Sequence, residues 1–256
     1  MGGTAVFGFD LPYTVFAAAM VFARLGAILM LLPGIGETSI PPRIRLSFAL
    51  AFSLVIGPVI APQLPPAPES LVAMSGLIAM EAVIGLMVGA AARFLLMAGA
   101  VAGQVIGYQT GLAMAQSFDP TQGQSGALPA QFLNLLFMVL IFATNLHHLL
   151  LQAAAGSYTL MPAGEAPMWA DAAQWALGLF ADAFLLGMQI AAPLIAFGLI
   201  FYLGLGVLSR LMPQAQIFFI AMPLNILVGF SILAITLGAV ALAFLDRFER
   251  FAVTLS

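Results

Sequence analysis

The sequence contains no cysteine and no lysine, and only 7% of its residues are charged. Without cysteine the chain can form no disulfide, no thiolate metal site and no cysteine nucleophile. A soluble globular domain carries about 25% charged residues, so this chain lacks the charge needed to cover a water-facing surface. With 63% hydrophobic residues and a mean hydropathy of +1.12, the composition predicts an integral membrane protein. The net charge of −3 offers no basic patch for nucleic acid.

Long apolar runs separated by polar or proline-containing breaks predict an all-α, polytopic membrane protein with about six to eight long hydrophobic helices. A helix that spans a bilayer needs about 20 apolar residues. The run over 71–114 is too long for one crossing, and we interpret it as two helices joined near Arg93. A looser segment is expected over 152–175. The other apolar runs cover residues 11–32, 46–61, 130–151, 176–208 and 215–245.

The arginines do not orient these helices in a membrane. Cytoplasmic loops usually carry the excess of basic residues. Arg210 lies before the last run, whereas Arg247 and Arg250 lie after it, so a single crossing would place arginine on both sides. The last run is therefore either a hairpin that does not cross, or a long helix in a chain whose helices are not ordinary crossings.

Glycines recur at a spacing of four residues in the third apolar run. Residues at this spacing lie on nearly one face of a helix, where the missing side chains let a neighbouring backbone approach closely. Two interpretations stay open: tight packing within the chain, which is the commoner case, or a face that meets another subunit or lines a narrow path. The glycines are Gly85, Gly89, Gly99, Gly103, Gly107 and Gly111.

Four charged residues lie within or beside apolar runs, and a charge at mid-bilayer costs about 2.5–3.5 kcal/mol on insertion scales. Such residues usually face a partner charge or a wet cavity. Because they are scattered along the chain, we expect pairing within or between subunits rather than an ion relay. They are Arg24, Glu81, Arg93 and Asp182.

The sequence contains no recognisable set of catalytic or cofactor-binding residues. His147 and His148 are adjacent, so on a helix they point about 100° apart and cannot share a metal ion. The few serines have no plausible histidine and aspartate partners, and the glycine-rich segments lack the lysine of a phosphate-binding loop. We therefore expect no enzymatic activity, no metal and no cofactor.

Several short motifs, taken together in their order and spacing, resemble one family over nearly the whole chain, from about residue 11 to 250. The motifs are Arg24-Leu25-Gly26 with Pro33-Gly34, Ile40-Pro41-Pro42-Arg43-Ile44-Arg45, Glu81 with Gly85 and Gly89, GYQTGLAMA at 107–115 with Phe118-Asp119-Pro120, Asn145-Leu146-His147-His148, LGVLSRLMPQ at 205–214, and Pro223. In these motifs the chain is similar to the FliR family of flagellar biosynthetic proteins, whose injectisome counterparts share much of the pattern. The resemblance predicts a single FliR-like domain over 1–256.

The resemblance implies a non-enzymatic subunit of the type III export gate, in the inner membrane at the flagellar basal body. It implies bent helical hairpins that assemble with FliP-like and FliQ-like membrane subunits, and a FlhB-like export-switch protein as a further partner. Unfolded flagellar proteins would pass through the centre of that assembly. A homo-oligomer and a nucleic-acid partner are not expected.

The resemblance also implies a role for the uncharged polar stretch that interrupts the apolar sequence near residue 107. In FliR-like proteins the matching segment lies near the central pore and acts as a plug. Glycine supplies backbone freedom, glutamine forms hydrogen bonds without charge, and methionine and phenylalanine supply deformable or bulky apolar groups. The alternative is a solvated loop between helices. The predicted plug residues are Gly107, Gln109, Gly111, Met114, Phe118, Asp119 and Pro120.

A small secondary transporter is the alternative from another functional class. Its substrate site would lie among Gln104, Gln109, Asp182 and Gln189. Such transporters are commonly built from inverted repeats with broken helices in matching halves. The sequence shows no convincing internal repeat, so the export-gate interpretation is preferred.

Overall fold

The computed structural model describes residues 11–112, 128–212 and 217–255, and in these ranges its regular structure is helical. This confirms the prediction of an all-α chain with long hydrophobic helices. The helices are α1 (Leu11–Leu31), α2 (Pro42–Ile60) followed by a 3₁₀ turn (Ala61–Gln63), α3 (Leu71–Gln109), α4 (Leu128–Ala143), α5 (Leu146–Leu160), α6 (Trp169–Leu211) and α7 (Ile217–Leu255).

The predicted division of the third apolar run near Arg93 is wrong, because α3 continues through that residue as one helix of 39 residues. Residues 90–92 are all alanine, the strongest helix former, and no proline interrupts the run. At 1.5 Å per residue the helix is about 58 Å long, roughly twice the thickness of a hydrocarbon core. The prediction failed because it assumed that each apolar helix fits within the bilayer.

The fourth apolar run is divided where one helix was expected. Helix α4 ends at Ala143, and α5 begins at Leu146. Between them Asn145 adopts a φ of 60°, a left-handed conformation that asparagine tolerates better than most residues. The predicted loose segment over 152–175 is also wrong in extent, because only residues 161–168 lie outside helices.

The last apolar run is one continuous helix and not a hairpin. Helix α7 has Pro223 in its interior, and α6 has Pro193. Within the described residues, five helices are long and apolar enough to cross a membrane, and the pair α4–α5 would form a sixth, broken span. The structure therefore fits a polytopic membrane protein.

The described residues form two compact units. The first contains the described residues up to Arg93, together with Asn145–Gly178 and the residues from Glu249 onward. Its core is built around α1, which packs against α2 and α5. Met20, Leu25 and Ile28 of α1 are at most 1% exposed.

The second unit contains the described parts of Phe94–Thr144 and of Leu179–Phe248. It comprises the second half of α3, all of α4 and most of α6 and α7. Its centre is aromatic: Phe137 of α4 stacks on Phe244 of α7 with ring centroids 3.9 Å apart, and Phe244 in turn contacts Phe248 at 5.4 Å. These three rings are completely buried.

Large apolar side chains also cover outer surfaces of the chain. On α2, Val55 and Val59 are 72% and 69% exposed, and Ile235 of α7 reaches 82%. Exposed apolar surface of this extent requires lipid or another protein subunit to cover it. The structure thus agrees with a location in the membrane.

Candidate functional site

The most strongly polar site of the first unit is an ion pair between Arg24 of α1 and Glu81 of α3. Arg24 Nε donates to Glu81 Oε2 at 2.6 Å, and Arg24 Nη2 donates to Glu81 Oε1 at 3.0 Å. Both side chains are fully buried. This forked geometry is the strongest form of an arginine–carboxylate contact. It holds α1 and α3 in one register.

Backbone groups and an aromatic ring complete the coordination of this pair. Arg24 Nη1 donates to the carbonyl oxygens of Ser157 and Met161 at 3.2 and 2.7 Å. The guanidinium carbon lies 4.1 Å from the ring centroid of Tyr158, a cation–π contact. The backbone N–H of Gly164 donates to Glu81 Oε1 at 3.1 Å. We call this set the Arg24 cluster: Arg24, Glu81, Ser157, Tyr158, Met161 and Gly164.

The other two predicted intramembrane charges lie in different surroundings. Arg93 approaches Glu37 at 4.0 Å, and Asp182 approaches Arg247 at 3.5 Å. The side chains of all four are about a third exposed or more in the chain. Of the four charges singled out in the sequence, the structure brings only Arg24 and Glu81 together.

The predicted packing glycines lie on α3, and in each unit a neighbouring helix packs closely against them. In the first unit, a Cβ atom on Gly85 would collide with the carbonyl oxygen of Arg24, and one on Gly89 would lie 2.9 Å from Leu31 Cβ. Both contacts are with α1. At these positions only glycine allows the two helices to approach this closely.

In the second unit the corresponding contacts are with α4. A Cβ on Gly99 would lie 2.8 Å from Asn134 Oδ1, and a Cβ on Gly103 would collide with the backbone of Ala130. The glycines of α3 therefore allow close packing of two different helices, α1 in the first unit and α4 in the second.

The predicted plug begins in the described part of the chain and continues outside it. Gly107 and Gln109 lie in the last turn of α3, and Gly111 follows with a φ of +78°, the left-handed conformation of a glycine that ends a helix. The other predicted plug residues, Met114, Phe118, Asp119 and Pro120, lie outside the described residues.

Each of the last four carbonyl groups of α3 has a hydrogen-bond donor, although a helix end leaves such groups without partners from its own ladder. Within the turn, Thr110 N donates to Ile106 O at 2.9 Å, Thr110 Oγ1 contacts Gly107 O at 3.4 Å, and Gly111 N donates to Tyr108 O at 3.2 Å. The carbonyl of Gln109 is satisfied from another helix, by Asn225 Nδ2 at 2.8 Å.

Asn225 was not singled out in the sequence, although a buried amide within an apolar helix is a usable signal. Tyr158 and Gly164 were missed as well. Their contacts depend on which backbone groups lie beside Arg24 and Glu81, and no local pattern indicates this.

The residues considered for a transporter site do not form one. Among the described residues, no hydrogen bond or ion pair joins Gln104, Gln109, Asp182 and Gln189 to one another. Gln109 instead packs against Gly198 of α6, where a Cβ would collide with its amide oxygen.

Comparison with known proteins identifies the family. The family described as bacterial export proteins, family 1, matches residues 15–251. The flagellar biosynthetic protein FliR of Caulobacter vibrioides is 42% identical over 94% of this chain and 96% of its own length. The protein of the same name from Escherichia coli is 30% identical, over 85% of this chain and 83% of its own length. The surface presentation of antigens protein SpaR of Salmonella typhimurium is 26% identical over 90% of this chain and 85% of its own length.

These matches extend over nearly all of the described residues and confirm the resemblance that the motifs predicted. The family match over residues 15–251 includes both the Arg24 cluster and the end of α3. The chain belongs to the FliR family of bacterial export proteins.

Proposed function

We propose that the chain is a core subunit of the flagellar type III protein export gate in the bacterial inner membrane, where it forms part of the channel for unfolded flagellar proteins. The observation that carries this proposal is the 42% identity to a flagellar FliR protein over 94% of the chain. The identity to SpaR is lower, at 26%, which favours a flagellar system over an injectisome.

In this role the chain works by assembly rather than by catalysis. Its partners are FliP-like and FliQ-like membrane subunits and a FlhB-like export-switch protein. The exposed apolar faces of α2 and α7 support such an assembly, because these faces need a cover of protein or lipid. Helices of 39 and 43 residues also support it, since they exceed the thickness of a hydrocarbon core and need neighbours beyond it.

Native mass spectrometry tests this assembly. The chain is expressed together with its genomic neighbours and extracted in mild detergent. We expect a large complex that contains one copy of this chain and several copies of two small helical proteins. A stable monomer or homodimer that ignores those neighbours would refute the proposed assembly.

We further propose that residues 107–120 plug the resting channel. An export channel must pass chemically varied, unfolded chains, so its seal should be adaptable and carry little charge. Residues 107–120 contain only two ionisable groups, Tyr108 and, near the end of the segment, Asp119. The capped end of α3 supplies a defined base from which such a segment can extend.

Deletion of residues 110–120 tests the plug. We expect the gate to assemble and to leak small ions, which a membrane-potential dye reports in proteoliposomes or cells. A glycine–serine segment of equal length in the same place separates the effect of length from that of side chains. An assembled deletion variant with normal ion tightness would contradict the plug.

A further inference from the structure

Two glycines of the second unit hold the last residue of α3 and the residue after it. On α6, a Cβ at Gly198 would collide with the side-chain oxygen of Gln109. On α7, a Cβ at Gly229 would lie 2.5 Å from Thr110 Cγ2. Thr110 is 2% exposed. The buried side chain of Thr110 therefore occupies a space that exists only because residue 229 is glycine, whereas the contact at Gly198 is with the movable end of the Gln109 side chain.

Asn225, one helical turn before Gly229 on α7, binds the same part of α3 through its side chain. Its amide nitrogen donates to Gln109 O at 2.8 Å and contacts Tyr202 Oη at 3.3 Å. The side chain is 3% exposed, and its Oδ1 has no hydrogen-bond partner among the described residues.

The contribution of the Asn225 side chain comes from its amide nitrogen and not from its oxygen. Burying a polar group without a partner is unfavourable, and leucine, of similar size, would avoid that penalty at position 225. What asparagine contributes here is therefore its donor group. Among the described residues, that donor bonds the carbonyl of Gln109, the one of the last four carbonyls of α3 to which the residues of the turn donate no hydrogen bond.

We infer that Asn225 is a positioning residue and that it forms, with Gly198 and Gly229, a fixed anchor for Gln109 and Thr110, which lie within the first turn of the proposed plug segment. We call these five residues the α3 anchor. The inference rests on the proposed plug for its functional meaning. The anchor does not move when the channel opens, because the close contact between Gly229 and the buried Thr110 and the hydrogen bond from Asn225 hold it. Any displacement of the plug begins beyond Thr110.

A disulfide tests whether the anchor is fixed. The Cβ of a residue at position 229 would lie 3.5 Å from Thr110 Cβ, within the range that disulfides span, and the chain has no native cysteine. Thr110→Cys with Gly229→Cys should cross-link upon oxidation in the assembled gate. Oxidation should leave the export rate of flagellar proteins unchanged. As a control, Thr110→Cys with Gly238→Cys should not cross-link, since no atom of the described residues, Thr110 included, lies within 4 Å of a Cβ at Gly238.

Either of two results would overturn the inference. Failure of the 110/229 pair to cross-link would show that the contact does not exist in the gate. A cross-link that stops export, with recovery upon reduction, would show that Thr110 moves away from α7 during opening. Neither result depends on whether residues 113–120 seal the channel.

Asn225→Leu tests the hydrogen bond itself. Such a hydrogen bond contributes about 1 kcal/mol, so the variant should release the end of α3 roughly fivefold more often. Thr110 is buried, and a cysteine in its place reacts with a small maleimide only when the end of α3 is released. We expect Thr110→Cys to be labelled roughly fivefold faster in an Asn225→Leu background. Ser231→Ala is the control, because that exposed hydroxyl donates to Leu227 O of its own helix. An unchanged labelling rate would refute the role of Asn225.

Ion leakage then distinguishes failure of the anchor from failure of the plug. Deleting residues 113–120 leaves Gln109 and Thr110 in place. If this deletion leaks while assembled Asn225→Leu stays as tight as wild type, the anchor does not position the plug and the inference fails. If the deletion is itself tight, the plug proposal fails, and the cross-linking results alone decide whether the α3 anchor exists.

Discussion

The Arg24 cluster of the first unit and the α3 anchor of the second solve the same problem with different chemistry. Both bury polar groups in an apolar chain, and both satisfy carbonyl groups at the end of a helix. The Arg24 cluster does so with a full charge that is paired by Glu81 and also bonds two carbonyl oxygens. The α3 anchor does so with the neutral amide of Asn225.

The difference predicts how each site tolerates change. Removing one partner of a buried ion pair leaves an uncompensated charge, which costs about 3–5 kcal/mol. Removing the neutral donor of Asn225 breaks a part-buried hydrogen bond, which costs about 1 kcal/mol. The first unit therefore depends on Arg24 and Glu81 for its stability, whereas the α3 anchor can be perturbed with the helices still assembled.

The largest effect is expected from Arg24→Met. This change leaves the carboxylate of Glu81 buried without its cation, and we expect a loss of about 3–5 kcal/mol, measured as a collapse in the amount and melting temperature of the purified complex. Arg43→Met is the matched control, because Arg43 is exposed at the start of α2. The double variant Arg24→Met/Glu81→Leu should recover part of the loss. A double variant as unstable as the single one would show that the unpaired charge is not the cause.

Arg24→Lys distinguishes charge from geometry. Lysine keeps the cation but loses the planar fork that contacts Glu81 and two carbonyl oxygens at once. We expect a loss of about 1–3 kcal/mol, smaller than for Arg24→Met, in the same melting experiment. If lysine fully replaced arginine, charge alone would explain the site, and the contacts to Ser157 O and Met161 O would be dispensable.

Glycines of α3 test the packing of the two units independently of polar contacts. Gly85→Ala should weaken the contact with α1, and Gly103→Ala the contact with α4, each by about 1–3 kcal/mol, because helix backbones would have to move apart. Gly76→Ala on the same helix is the control. A Cβ at Gly76 would have no neighbour within 4 Å in the part of the chain that the structure describes, so the better helix propensity of alanine should leave the stability equal or raise it by up to about 1 kcal/mol.

Hydrogen exchange, measured helix by helix, shows in which unit each packing defect acts. Gly85→Ala should increase hydrogen exchange in α1, whereas Gly103→Ala should increase it in α4. Equal exchange throughout the chain for either variant would mean that the two units do not respond separately to a local packing defect.

The sequence was sufficient to predict the class of fold and the family, because both depend on patterns spread along the chain. Apolar runs reveal membrane helices, and ordered motifs reveal a relative. The predicted boundaries were less accurate where a helix continues past the expected bilayer thickness, as α3 does at Arg93. They were also wrong where a single left-handed residue, Asn145, divides a uniformly apolar run.

The site could be predicted only in part, for a physical reason. Arg24 and Glu81 stand out because a charge in an apolar run needs a partner, but most of their other partners are backbone groups, which carry no sequence signal. Gly198 and Gly229 likewise look like any other glycine of an apolar helix. Their meaning depends on which residue lies opposite them, and that is decided by tertiary packing. The roles of Met114, Phe118, Asp119 and Pro120 stay predictions.

The smallest effect is expected at the ion pair between Asp182 and Arg247, which resembles the Arg24–Glu81 pair in chemistry but not in burial. Its atoms are 3.5 Å apart, and the aspartate side chain is 57% exposed. Exposed pairs contribute about 0–1 kcal/mol and are screened by salt. Asp182→Asn should therefore change the melting temperature of the isolated chain by at most a few degrees, and less at high salt. The same variant measured in the assembled gate extends the comparison, because a partner subunit that covers Asp182 would remove it from water. A loss in the assembly that approaches that of Arg24→Met would mean that burial, and not the pairing of charges, separates these two sites.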